Sequence, residues 1–166
     1  MAVTALQPGP HNPETTMTSS ITPFQATWAP RALGLLRIIT GYLFIAHGTA
    51  KLFGAPHIDM FDGLQVLSLV GAAGILEVVG GALVIGGLFT RPTAFILSGL
   101  NAFAYFIAHA SQGNALLPIL NGGELAAIYS FLFLFIAVVG GGAFSVDSLR
   151  LRNRDGALAA IEPGRA

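Results

Sequence analysis

The chain has 166 residues, of which 54% are hydrophobic and 10% charged, with a formal net charge of zero and a mean hydropathy of +0.72. A soluble domain carries about 25% charged residues, so this balance describes a membrane protein and leaves no room for a separate soluble catalytic domain. Cysteine is absent, which excludes disulfides, thiolate metal sites and thiol chemistry by this chain, and the neutral total charge points to no nucleic-acid partner.

Residues 1–30 are rich in Pro, Thr and Ser and carry no Lys or Arg before Arg31, which predicts a disordered tail. A secretory signal needs a basic start followed by an apolar centre. Neither is present, so the first hydrophobic helix is expected to remain and to act as the insertion signal. Four spans are predicted after the tail, at about 32–52, 65–89, 92–112 and 124–144, each near the ~20 residues that cross ~30 Å of hydrocarbon. Pro92 suits the first turn of the third, where its missing N–H has no partner to lose. The short links between spans predict an all-α, up-down-up-down four-helix membrane bundle over residues 31–149, with a basic tail at 150–166.

With four spans, Arg31, Arg37, Arg91, Arg150, Arg152, Arg154 and Arg165 fall on one side and Lys51 alone on the other. The positive-inside rule then puts both termini in the cytoplasm. In that frame His47, Lys51, Glu77, Asn101, Tyr105, His109 and Glu124 gather in the outer half. The inner half is expected to hold little besides interfacial arginines. His47 and Lys51 are i and i+4, and Asn101, Tyr105 and His109 form an i, i+4, i+8 ladder, so each set shares a helix face. Glu77 shares its face with Gly74, Gly80 and Gly81, small residues that let another helix approach.

A lone carboxylate ~17 Å deep costs ~2.5–3.5 kcal/mol on insertion scales, so Glu77 needs a partner, with Lys51 and His47 nearest in depth. Left unpaired, it is a candidate proton carrier. Lys51 has the alternative of snorkelling to the interface, and His47 of bonding a neighbouring helix. In "NGGE", Asn121 is expected to cap the fourth span and Glu124 to close a capping box. The run "GGG" at 140–142 reads as a close-packing site or helix end, and "SVD" at 145–147 as the cap of a short amphipathic tail whose arginines meet anionic headgroups. No phosphate-binding loop, HExxH or Gly-x-Ser-x-Gly occurs, and His47 and His109 lack any supporting haem or metal motif, so no metal site is expected.

The blocks "HGTAKLFG", "GILEVVGGALVIGGLFTRPTA", "NGGE" and "GGGAFSVD", in order and at suitable spacing over about residues 31–149, resemble the DoxX family of small four-helix bacterial membrane proteins. The resemblance implies a multipass protein of the bacterial cytoplasmic membrane, akin to subunits associated with thiosulfate:quinone oxidoreductase and quinol oxidase. The family's polar positions fall on His47, Lys51, Glu77, Asn121, Glu124 and Asp147. Sulfur chemistry does not transfer easily, because the chain has no cysteine.

The leading expectation is a membrane subunit of a quinone-linked redox system. His47 and Lys51 would bind the quinone headgroup and Glu77 would exchange the proton, with Asn101, Tyr105, His109 and Glu124 as further ligand contacts. Electrons would come from a soluble or membrane redox partner. The alternatives are a non-catalytic scaffold anchoring a soluble partner through the arginine tail and, more remotely, a small-molecule transporter. A homo-oligomer stays open.

Overall fold

The computed structural model describes residues 21–161, all of whose regular structure is helical. Helix α1 spans Pro23–Phe53 and therefore starts inside the stretch expected to be disordered. The reason is a capping box: the Thr22 hydroxyl accepts from the Gln25 N–H at 3.2 Å, the Gln25 side chain accepts from the Thr22 N–H at 3.0 Å, and Pro23 fills the first turn. Residues 1–20 of the expected tail lie outside the described residues. At its far end α1 stops on Gly54, whose φ of 62° closes the last turn.

A loop with a 3₁₀ turn at Asp59–Phe61 leads to α2, Leu69–Gly86. The second span thus begins four residues later than expected, because Ser68 caps it by accepting from the Gly71 N–H at 3.1 Å. Helix α3, Thr90–Ala104, follows after three residues and continues through a π-turn at Tyr105–His109 and a 3₁₀ turn at Ala110–Gln112. The four-residue α4, Pro118–Asn121, precedes α5, Glu124–Val139. Helix α5 ends five residues short of the expected Phe144, at Gly140 with φ 93°. Helix α6, Val146–Ile161, contains most of the expected basic tail; its last five residues are not described.

Helices α1 and α2 and the continuous Thr90–Gln112 helix are long and apolar enough to cross a membrane, and α5, at 16 residues, is a shorter apolar helix. Close approach binds α1 to α2 in antiparallel fashion. A methyl group on Gly41 would come within 2.8 Å of the Gly81 carbonyl oxygen, and one on Gly48 within 2.7 Å of that of Gly74. Helix α3 is tied to α5 by the Ser98 hydroxyl, which donates to the Ser130 carbonyl at 2.8 Å. All four contribute to one core: Phe44 from α1, Val84 from α2, Ala94 and Leu97 from α3, and Tyr129, Phe133 and Ile136 from α5.

The distribution of polarity is the reverse of a soluble protein's. Arg37, Glu77, Asn101 and Ser145 are buried, whereas Leu35, Phe95, Phe106, Phe131 and Val138 face outward. Lipid solvates such apolar surface at no cost, while polar groups are driven inward to find partners.

Candidate functional site

Lys51 lies in the last turn of α1, and one further turn into the helix is His47. Glu77 sits midway along α2, on the glycine face that α1 approaches. The close glycine packing brings the two helices near enough for the Lys51 ammonium to donate to Glu77 Oε1. The Lys51 and Glu77 side chains keep only 14% and 8% of their exposure. This selects the paired alternative for Lys51 over snorkelling. The ammonium also lies 5.6 Å from the centre of the Phe61 ring, so the α1–α2 loop closes over it.

Two further features surround the pair. Glu77 Oε2 is buried without a hydrogen-bond partner among the described residues, and a carboxylate oxygen left so is costly. Beside it, the His47 ring meets Tyr129 of α5 edge-on, with centroids 6.1 Å apart, and Tyr129 stacks in turn with Phe133. Tyr129 was missed in the sequence, although its place one to two turns into the fourth apolar helix puts it at the depth of His47.

The remaining expected site residues do not join this group through their hydrogen bonds. Asn101 is buried and donates to the Leu97 carbonyl of its own helix at 2.8 Å. The Tyr105 hydroxyl donates to the Ala115 carbonyl at 2.6 Å and accepts from the Asn121 amide at 3.4 Å, while His109 Nδ1 lies 3.1 Å from the Asn121 carbonyl. Tyr105 and His109 stack at 6.4 Å. These three residues pin the loop after α3 to its parent helix. The capping box expected at "NGGE" is absent: the cap residue of α5 is Gly123, which has no side chain to cap with, and the Asn121 amide oxygen accepts instead from the Gly123 N–H at 2.9 Å. Glu124 is exposed in the first turn of α5, where its charge favours the helix dipole.

The opposite end also departs from expectation. Arg37 is fully buried rather than interfacial. Its guanidinium donates to the carbonyls of Val84 and Ile85 at the end of α2, to Gly141 at 2.8 Å and to Phe144 at 3.1 Å. Asp147 of α6 accepts from the N–H groups of Phe89 and Thr90 at 3.1 and 2.7 Å, capping α3 from outside. Burial opposes the Asp147 charge, but the N–H donors of Thr90 and Phe89 and the nearby Arg150 outweigh it and hold the carboxyl below its usual range. The Thr90 hydroxyl favours the same charge but reaches no partner at hydrogen-bonding geometry. As "SVD" implied, Ser145 caps α6, accepting from the Ser148 N–H at 3.1 Å. The α1–α2 loop groups His57 with Asp59 and Asp62, all exposed, both ring nitrogens turned to carboxylates at 3.1 and 3.6 Å.

The DoxX family model matches residues 32–110, which include the whole Lys51–Glu77 pair. An uncharacterized protein of Haemophilus influenzae is 48% identical over 124 residues, covering 73% of this chain and 92% of that protein. The chain belongs to the DoxX family. The inner membrane protein YqjF of Escherichia coli is 28% identical to this DoxX protein over 120 residues, 68% of the chain and 87% of the relative. No solved structure matches. With its apolar helices, this DoxX protein is a membrane protein.

Proposed function

We propose that this DoxX protein is a four-span, up-down-up-down bundle of the bacterial cytoplasmic membrane with both termini in the cytoplasm, and that it serves a quinone-linked redox system as a membrane subunit. The observation that carries the reading is the half-satisfied carboxylate: Glu77 is buried, held by Lys51 on one oxygen and open on the other. An open acceptor in apolar surroundings fits the hydroxyl of a reduced quinone headgroup, and the Lys51 ammonium and the His47 ring fit carbonyl acceptors. The surrounding Tyr129 and Phe61 rings offer the flat apolar walls such a headgroup prefers.

In this reading the bound quinone supplies two-electron redox chemistry. Lys51 fixes the orientation of Glu77 and neutralises it; Glu77 Oε2 receives or returns a proton; His47 and Tyr129 exclude water from the opposite side. Asn101, Tyr105, His109, Asn121 and Glu124 act as supports rather than ligand contacts. Quinone-linked respiration in membrane vesicles tests this. Glu77→Gln should lower the quinone-dependent rate at least about tenfold, the scale of losing one positioned proton-transfer group. An unchanged rate at equal protein content leaves the pair as a brace between α1 and α2, and the chain as a scaffold.

A further inference from the structure

A cavity of about 550 Å³ opens at the arginine end between the start of α3, the Gly140–Gly142 run and α6. This volume is in the range of small-molecule sites. Arg91 from α3 and Arg150 and Arg154 from α6 line it. Gly141 makes the approach possible: a methyl group there would come within 3.0 Å of Thr90 Oγ1.

The arginines alone would be an ordinary basic surface. What distinguishes the cavity is Thr90, which lines it with only 1% of its surface exposed and whose hydroxyl, beside the Asp147 carboxylate, meets no partner at hydrogen-bonding geometry among the described residues. A buried hydroxyl of this kind is costly unless something accepts its proton. Asp147 also lines the cavity, and its two oxygens accept from the N–H groups of Phe89 and Thr90. It neutralises the start of α3, and three guanidinium groups remain against that single carboxylate. Several planar donors and one hydroxyl donor suit a tetrahedral oxyanion, with more acceptor positions than a carboxylate provides.

We propose that this cavity binds a phosphate group, with Arg91, Arg150 and Arg154 as its charge complement and Thr90 Oγ1 as the orienting donor. The group is either the headgroup of an anionic phospholipid or a free phosphate compound. This proposal is independent of the quinone reading.

The test uses the full chain in a neutral detergent, with native mass spectrometry against dioleoylphosphatidylglycerol, dioleoylphosphatidylcholine and inorganic phosphate. One phosphatidylglycerol should be retained per chain in preference to phosphatidylcholine. R91Q and R150Q should each weaken retention about tenfold, as for loss of one charge-assisted contact. R152Q removes the same charge from the same helix at a residue outside the cavity, and should leave retention unchanged. T90V should weaken binding without lowering the thermal midpoint of the lipid-free protein, since an unpartnered hydroxyl contributes nothing to hold the fold. Displacement of the lipid by millimolar inorganic phosphate would identify a free phosphate compound as the ligand; failure to displace it, a lipid headgroup. Equal loss in R91Q and R152Q, or retention of neither phosphatidylglycerol nor phosphate, overturns the proposal.

Discussion

Lys51 and Arg37 lie on the same helix, and both are drawn out of water into the protein, yet their surroundings complete them to very different degrees. Arg37 donates to four carbonyls that end α2 and follow α5. Two of those acceptors are carbonyls in the last turn of α2 and two belong to the segment after α5, so the arginine fastens one end of the molecule. Lys51 meets a single carboxylate, whose second oxygen stays open. A buried charge with every neighbour satisfied belongs to the architecture, whereas a buried pair with an open acceptor leaves one hydrogen-bonding position unfilled.

The contrast breaks most visibly at Arg37. Replacing it with Met removes a donor from four carbonyls and should cost about 3–5 kcal/mol, the range for breaking a buried charge network. Arg37→Lys should recover little, because an ammonium cannot span acceptors on both α2 and the segment after α5. Thermal unfolding followed by circular dichroism in detergent measures both. A near-neutral Arg37→Met would erase the distinction between the two ends.

The two ends were not equally legible in the sequence. Lys51 and Glu77 stood out because charges deep in apolar spans have few explanations, and helical spacing with the glycine face brought them to one depth. Arg37 was concealed by the same rule that set the orientation, since an arginine near a span end looks interfacial whether it points outward or in. Nothing in one sequence reveals that carbonyls 47 and 104 residues away converge on it. The early start of α1 was readable, because Thr22-Pro23-Phe24-Gln25 is a capping-box pattern in a segment whose composition suggested disorder. The opposite error occurred at "NGGE", where a capping pattern is overridden because Asn121 turns its amide back onto the loop.

Smaller effects sharpen the comparison. Asp147→Asn removes one of the two acceptors that cap α3, and should cost about 1 kcal/mol at neutral pH, as for a lost helix cap. Because the folded Asp147 carboxyl lies below its usual range, its contribution is present above the unfolded value of about 3.9 and is lost as pH falls through the lower folded value. Wild-type stability should therefore decline on acidification below about pH 4, and the decline should be shallower in Asp147→Asn. Unfolding midpoints across pH 3–7 read this out. Tyr105→Phe removes the bonds to Ala115 and Asn121 and should cost about 0.5–1.5 kcal/mol. It should change no ligand content, as befits a loop fastener.

The open oxygen of Glu77 is the centre of the account, and the most direct measurement is the quinone content of the protein purified from its native membrane, by solvent extraction and mass spectrometry, in wild type and Glu77→Gln. The account predicts about one quinone per wild-type chain and its loss in a variant that remains folded by circular dichroism. Wild-type protein without quinone, or a folded Glu77→Gln variant that keeps it, would contradict the account.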